Sequence, residues 1–227
     1  MDGRQGPKRH LLRHLLIAAG VLILAGAAGF WVLTIPATVS ASDLPPYRPN
    51  LANGKTIFAA GGCAACHAVP NANPDKVDPT RLGGGMALPC PFGTFYVPNI
   101  SPDPKDGIGR WSEADFVSAM WDGTTPGGHH LYPAFPYTSF RHMTLADLRD
   151  LFAYLKTLPP VKGRPSGHDL AFPFNIRRLL GGWKFLYLTG GPFQPDPTKP
   201  AQWNRGVGRV PETARRGRDA DPRLPQR

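Results

Sequence analysis

The sequence predicts an all-α fold, in which short helices are joined by long Pro/Gly-rich loops and are preceded by one transmembrane helix. Three observations support this prediction. Residues 15–35 form an apolar run whose only polar side chain is Thr34. Three later segments have apolar residues at helical spacing behind capping residues. The 27 Pro and 26 Gly residues among 227 are too many for a plain helical bundle, so long ordered loops are expected.

The apolar run near the amino terminus is long enough to cross a bilayer as a helix, which takes about 20 residues. Basic side chains crowd its amino-terminal side, so the positive-inside rule places residues 1–14 in the cytoplasm and the chain after residue 38 outside. A cleaved signal peptide is the alternative, because Val39-Ser40-Ala41 resembles a cleavage site. The run exceeds the usual apolar length of a signal peptide, which favours a retained anchor. Either interpretation exports the rest of the chain.

Capping residues define three short helices. Asn50 is expected to cap a helix from Leu51 to Ala60, on which Gly54 would let another helix approach closely. Ser112 begins a second helix that ends at Gly123, and Thr144 begins a third that stops before Pro159-Pro160.

The loops and the connector have their own signals. Eight prolines between residues 68 and 110 exclude regular helix, and the aromatic stretch from Leu88 to Ile100 predicts short extended pieces. Such a long loop in a compact domain usually covers a ligand. Further on, Asn175 is expected to cap a short helix from Ile176 to Leu188, either at the membrane interface or packed on the domain or a partner.

The stretch Cys63-Ala64-Ala65-Cys66-His67 reads C-x-x-C-H, the signature of covalent c-type haem attachment. Each thiol can form a thioether to a haem vinyl group, and the His67 imidazole can bind the iron as proximal ligand. A thioredoxin-like pair needs a preceding strand, and the residues before Cys63 look helical. A zinc site needs further ligands, and Cys90 stands alone. A Cys63–Cys66 disulfide would close a very small loop and stabilise little.

A haem that transfers electrons usually has a second axial ligand, and His/Met is a common pair. Met143 is the preferred candidate because it precedes the third helix, where the chain can return across the open haem face. Met143 and Leu148 also fit a hydrophobic staple around the Thr144 cap. The other candidates are Met86, Met120, His129, His130, His142 and His168.

Charge and composition exclude several function classes. The net charge of +10 is concentrated at the two ends of the chain, and the body is nearly neutral, so no nucleic-acid partner is expected. Three cysteines provide no disulfide framework. No pairing of side chains suggests a general acid and base, so the chain is not expected to be an enzyme by itself.

Several motifs together carry a family resemblance: Cys63–His67, Pro91-Phe92-Gly93-Thr94, Pro98–Asp103, Gly107-Ile108-Gly109-x-Trp111, His130–Tyr137 and Ala153-Tyr154-Leu155 before Leu158–Val161. They resemble the first haem domain of multihaem cytochrome c subunits of membrane-bound bacterial dehydrogenases, such as alcohol and gluconate dehydrogenases. The resemblance implies a class I cytochrome c fold and a periplasmic dehydrogenase catalytic subunit as partner. It also implies electron transfer towards quinone or a terminal oxidase. Some relatives have a Met where Phe135 stands here, which favours Met143 as the ligand.

These observations divide the chain into five parts. They are a basic end with the anchor (1–38), a tether (39–49), a haem domain with one covalent haem c (50–162), a connector (163–206) and a disordered basic tail (207–227). The tail has no second C-x-x-C-H, which suggests a truncated multihaem cytochrome or a natural single-haem protein. The alternatives for the function are a haem enzyme or ligand sensor with an open distal site, or a truncated, non-functional fragment of a multihaem cytochrome.

Overall fold

The computed structural model describes residues 7–194, 196–200 and 202–204. The helices are α1 (Pro7–Leu33), α2 (Leu51–Ala60), α3 (Cys63–His67), α4 (Glu113–Asp122), α5 (Tyr137–Phe140), α6 (Leu145–Leu155) and α7 (Leu179–Tyr187). Short 3-10 turns lie at Ala41–Asp43 and Pro74–Lys76, and the strands are β1 (Ala87–Cys90), β2 (Gly93–Tyr96) and β3 (Asp169–Leu170). The predicted tail at 207–227 lies outside the described residues.

Helix α1 contains the predicted membrane-spanning segment. From Arg9 to Leu33 it is long and apolar enough to cross a membrane, and no other helix in the described part of the chain is. None of the residues in its apolar window is buried, and large apolar residues such as Leu22 and Leu24 are exposed. An apolar surface of this extent on a single helix is typical of a segment that contacts lipid.

Capping hydrogen bonds confirm the three predicted helix starts. Asn50, Ser112 and Thr144 each accept a hydrogen bond from the backbone N–H three residues further on, at 3.1 Å. At Ser112 the capping box is complete, because the Asp115 carboxylate accepts a hydrogen bond from the Ser112 N–H at 2.9 Å. Capping satisfies backbone donors that a helix start leaves unpaired.

The predicted start of the connector helix is wrong. Helix α7 begins at Leu179, not at Ile176, and Asn175 does not cap it. The Asn175 N–H donates to the Ala171 carbonyl in the preceding turn. Hydrogen bonds between residues three apart then form successive turns that lead into the helix. Arg178 occupies the cap position without a side-chain capping bond, because its side chain instead contacts α1.

The fold is mostly helical, and the all-α prediction omits a small sheet. Strands β1, β2 and β3 form an antiparallel sheet in that order, and β1 and β2 lie in the stretch where extended pieces are expected. Pro89 is tolerated because β1 is an edge strand. Gly93, with φ of 127°, allows β3 to approach, since a Cβ there would lie 2.1 Å from the Asp169 carbonyl oxygen.

The core is built on the crossing of α2 and α6, with α4 packed beside them. Phe58 of α2 contacts Tyr154 of α6 with ring centroids 5.4 Å apart, and Phe116 of α4 stacks on Phe152 of α6 at 4.9 Å. Leu148 of α6 is fully buried in this core. These contacts hold the helices that flank the C-x-x-C-H motif and Met143.

Replacing Gly54 by alanine is expected to destabilise the domain. A Cβ at Gly54 would lie 2.1 Å from the Asp150 carbonyl oxygen and 2.8 Å from the Tyr154 Cβ, so α2 and α6 would have to separate. Overpacking of this kind lowers the free energy of unfolding by about 1–3 kcal/mol or more. Denaturant unfolding measures the change. Ala52→Leu adds bulk on an exposed side of the same helix, and its effect is expected to stay within about 0.5 kcal/mol.

Residues 39–49, the predicted tether, lie against the helical domain. The Val39 N–H donates to the Ser118 hydroxyl at 2.8 Å, and the Tyr47 hydroxyl donates to Asp150 at 2.9 Å. The Arg149 guanidinium lies 4.7 Å from the centre of the Tyr47 ring. The connection between α1 and the domain is therefore ordered by contacts at both of its ends.

Candidate haem site

The C-x-x-C-H motif forms its own short helix, α3, directly after α2. Gly62, with φ of 64°, turns the chain between the two helices in a conformation that favours glycine. Cys63 and Cys66 are three residues apart in α3, so their side chains are neighbours on one side of the helix. Cys63 is partly buried and Cys66 is exposed. This placement presents two thiols side by side at the edge of the core.

The His67 ring is oriented by a backbone carbonyl. Its Nδ1 lies 2.9 Å from the Pro98 carbonyl oxygen, which can only accept, so Nδ1 carries the proton and donates. Nε2 has no hydrogen-bond partner among the described residues. Burial lowers the pKa of His67 below its ordinary value, and the bond to Pro98 opposes part of that shift. The ring is therefore neutral, with Nε2 available to bind a metal.

The Pro98 carbonyl is itself held in place by the residues that follow it. The Asn99 amide donates to the Val161 carbonyl at 2.7 Å and to the Gly163 carbonyl at 3.0 Å. The fully buried Ser101 donates its N–H to the Asn99 side-chain oxygen at 2.9 Å, and its hydroxyl accepts from the Val161 N–H at 2.9 Å. These bonds join the loop behind His67 to the chain after α6.

Replacing Asn99 by alanine is expected to loosen this support. The change leaves the buried Val161 carbonyl and Ser101 N–H without their amide partner, which costs about 1–3 kcal/mol in the free energy of unfolding. Denaturant unfolding measures the loss. Asn71→Ala removes a surface amide that accepts one backbone hydrogen bond, and its effect is expected to stay within about 0.5 kcal/mol. Equal effects of the two changes would contradict a supporting role for Asn99.

Met143 lies in the same core that the C-x-x-C-H motif contacts. It is buried together with Leu148 and Met120, and Cys63 and Ala64 pack against this core. Met143 directly precedes the Thr144 cap, and Leu148 lies in the same core, as a hydrophobic staple requires.

Trp121 fixes the Met143 backbone, a role that the sequence did not reveal. The Trp121 indole N–H donates to the Met143 carbonyl at 3.1 Å. Met143 also donates its N–H to the Phe140 carbonyl at 2.9 Å, which closes the turn after α5. The only sequence signal was a tryptophan at the end of α4, which does not indicate a partner in another segment.

The other candidate ligands are placed elsewhere or have other contacts. One ring nitrogen each of His130, His142 and His168 bonds to a backbone atom at 3.0–3.2 Å. His129 is exposed, and Met86 is only partly buried. Met120 is buried in the core, as its helical spacing indicates. Met143 is the candidate that combines burial with a position at a helix start.

The site does not support a disulfide, a zinc site or a thioredoxin-like redox pair at the C-x-x-C-H motif. All three cysteines lie in the described part of the chain and form no disulfide. Among the residues that the structure describes, no group of three or more His, Cys, Asp or Glu could hold a metal ion. Burial raises the pKa of the Cys63 thiol to about 11, whereas a redox-active C-x-x-C pair needs a lowered thiol pKa.

The surroundings of the motif fit a haem. A set of large apolar side chains packs on the core yet remains partly exposed; it comprises Ile100, Trp111, Phe135, Phe140, Leu145 and Tyr154. A flat apolar group that packed on this core beside Cys63 and Ala64 would remove further apolar surface from water. With two adjacent thiols and a neutral imidazole at the same edge, the donor set is the one that haem c requires.

Comparison with known proteins decides the family. Residues 51–159 match the cytochrome c family. This part of the chain is a cytochrome c domain. The prediction of covalently bound haem c is thereby confirmed, and the matched residues extend from the start of α2 to just beyond α6.

Curated relatives extend the comparison beyond this domain. The chain is 48% identical over 180 residues to a diheme cytochrome c-type protein of Cereibacter sphaeroides, covering 79% of this chain and 59% of the relative. It is 48% identical over 157 residues to a nicotinate dehydrogenase subunit of Pseudomonas putida, covering 69% of this chain and 13% of the relative.

A third relative confirms the resemblance to dehydrogenase cytochrome subunits. The chain is 36% identical over 205 residues to the fructose dehydrogenase cytochrome subunit of Gluconobacter japonicus, covering 89% of this chain and 40% of the relative. The cytochrome c subunits of alcohol and gluconate dehydrogenases are also similar. The chain spans only part of the length of these curated relatives, from 13% of the nicotinate dehydrogenase subunit to 59% of the diheme protein.

Proposed function

We propose that this chain is a membrane-anchored c-type cytochrome that receives electrons from a periplasmic dehydrogenase catalytic subunit. It passes them through one haem c towards quinone or a terminal oxidase. In this proposal α1 is the anchor in the bacterial inner membrane, and residues 50–162 form a class I cytochrome c domain that faces the periplasm. The observation that carries the proposal is the His67 ring, which Pro98 holds with Nε2 free inside a cytochrome c domain.

Each site residue has a distinct role in the proposal. Cys63 and Cys66 would hold the haem by thioether bonds, and His67, through Nε2, and Met143 would bind its iron. When bound, the haem would supply a one-electron iron couple, whose potential depends on the residues that bind the iron. Pro98 keeps the His67 ring in one tautomer, and Trp121 keeps the backbone of Met143 in place. Fixed ligands favour electron transfer because the site changes little between oxidation states.

The proposed partner can be tested with the full chain in its native membranes. A tagged chain is purified in mild detergent, and co-purifying proteins are identified by mass spectrometry. The preparation is then supplied in turn with ethanol, fructose, gluconate and nicotinate, the substrate classes in the names of the relatives. We expect a dehydrogenase catalytic subunit to co-purify, and its substrate to produce the absorbance of reduced haem c.

Controls make the result specific. A chain with Cys63→Ser and Cys66→Ser should still reach the membrane but show no substrate-dependent haem reduction. Haem that remains oxidised with every substrate, although a dehydrogenase co-purifies and turns over, would contradict the electron-transfer role. Rapid carbon monoxide binding to the reduced chain would contradict a closed six-coordinate site and support a sensor or an enzyme.

A further inference from the structure

The carboxyl end of α1 is joined to the cytochrome domain by direct contacts. His130 Nε2 donates to the Thr34 carbonyl at 3.0 Å, and both side chains are buried. Arg178 donates to the Trp31 carbonyl, and its guanidinium lies 4.1 Å from the centre of the Trp31 ring. The last turn of α1 is therefore part of a packed junction.

Two consecutive glycines bring α7 against this last turn. A Cβ at Gly181 would lie 2.5 Å from the Thr34 Cβ, and a Cβ at Gly182 would lie 3.1 Å from the Phe30 ring. Phe30 belongs to the apolar segment that can cross a membrane. One side of α7 therefore lies level with the last apolar turn of α1 along the axis of that helix.

The other side of α7 faces the cytochrome domain. Lys184 is buried and donates to the Asp122 and Gly123 carbonyls at 2.6 and 2.7 Å. Trp183 meets the buried Tyr137 ring edge-on, with centroids 6.5 Å apart. A cation at the carboxyl end of α4 is favourable because the helix dipole is negative there. These contacts fix the rotation of α7 about its own axis.

This rotation leaves the apolar residues of α7 uncovered. Leu179 and Leu186 lie on the same side as Gly182 by helical spacing, and they are 46% and 64% exposed. Phe185 is also exposed, next to the side that meets α1. Large apolar side chains of the preceding loop are exposed as well. Together with those of α7 we call them the α7 apolar surface, and its residues are Phe172, Phe174, Ile176, Leu179, Phe185, Leu186 and Tyr187.

We propose that the α7 apolar surface lies in the bilayer interface, beside the point where α1 leaves the membrane. The occupant is lipid, because Gly182 adjoins Phe30 of the membrane-spanning segment. Leu179 and Leu186 lie on the same side of α7 as Gly182 and remain 46% and 64% exposed. Trp31 with Arg178 over its ring is typical of the boundary between hydrocarbon and headgroups. Apolar side chains next to basic ones are also the pattern of a helix that lies on a membrane.

The proposal has a consequence for the cytochrome domain. Since α1, α7 and the 39–49 segment all contact the domain, it is held on the membrane surface in one orientation instead of moving on a free tether. The haem then stays at a constant distance from the membrane plane. This inference rests on the proposed membrane insertion of α1, and its test separates the two.

Spin labelling of the full haem-containing chain tests the inference. In a Cys90→Ser background, single cysteines replace Leu186 on α7, Leu24 in α1 and the exposed Lys55 on α2. Each labelled chain is reconstituted in vesicles of phosphatidylethanolamine and phosphatidylglycerol, and collisions with oxygen and with a water-soluble nickel chelate are measured. Oxygen concentrates in lipid, so we expect the oxygen-to-nickel ratio at position 186 to be several-fold higher than at 55 and closer to that at 24.

The other outcomes overturn the inference in distinguishable ways. A label at 186 that meets nickel as often as the label at 55 would place the surface in water. A label at 186 that is shielded from both reagents would place it against protein, such as a second copy. Nickel access at position 24 would show that α1 itself is not inserted. Leu179→Cys samples the same surface if the Leu186 variant does not assemble with haem.

Discussion

A chain in which Cys63 and Cys66 are both replaced by serine is expected to carry no covalent haem. A thioether forms when a thiol adds to a haem vinyl group, and a serine hydroxyl does not form this bond. Helix α3 places both thiols on one side at the edge of the core, and no other cysteine pair in the chain has this spacing. Haem staining after denaturing electrophoresis should fall to background, and mass spectrometry should find the chain without the mass of haem.

Cys90→Ser is the matched control for this prediction. Cys90 is the remaining cysteine, and it lies in the edge strand β1 opposite Gly93. Its replacement should leave haem staining unchanged, whereas Cys66→Ser alone should leave at most one thioether. Covalent haem in the double variant, or its loss in Cys90→Ser, would show that the attachment site lies elsewhere.

The sequence predicted the parts of the fold that depend on local interactions. A cap joins a side chain to a backbone N–H three residues away, so Asn50, Ser112 and Thr144 could be identified from their neighbours alone. Gly54 could be predicted to allow close helix packing because it has no side chain. Its partner α6 could not be predicted, since it lies about a hundred residues later. Haem c could also be predicted, because the C-x-x-C-H spacing itself encodes the attachment chemistry.

The parts that could not be predicted depend on contacts between distant segments. Pro98 bonds to a ring 31 residues earlier, and Trp121 bonds to a carbonyl 22 residues later. Pro98 belongs to a family motif and to the prolines that exclude helix, but neither signal points to its carbonyl as the partner of His67. A backbone carbonyl has no sequence signature of its own. The start of α7 is also not encoded locally, since Arg178 at its cap position makes no side-chain capping bond and contacts Trp31 of α1.

Replacing Met143 by alanine is expected to change the spectrum and the potential of the haem. A methionine sulfur on ferric haem iron gives a weak near-red absorption band, which should disappear when the thioether is removed. The reduction potential should fall by about 0.1 V or more, because axial ligand identity moves haem potentials over about 0.8 V. The vacated position should also bind carbon monoxide or cyanide rapidly. Optical spectra and a potentiometric titration of the full chain in detergent measure these changes.

Met120→Ala is the control that separates ligation from packing. Met120 and Met143 are 5% and 7% exposed and belong to the same core, so truncating either should lower the free energy of unfolding by about 2–5 kcal/mol. Both variants are thus expected to be destabilised, but only Met143→Ala should lose the near-red band. A band that survives in Met143→Ala would exclude Met143 as the ligand. If the unaltered chain lacks the band, a histidine such as His129, His130 or His142 becomes the candidate, and His130 would first have to release the Thr34 carbonyl at the end of α1.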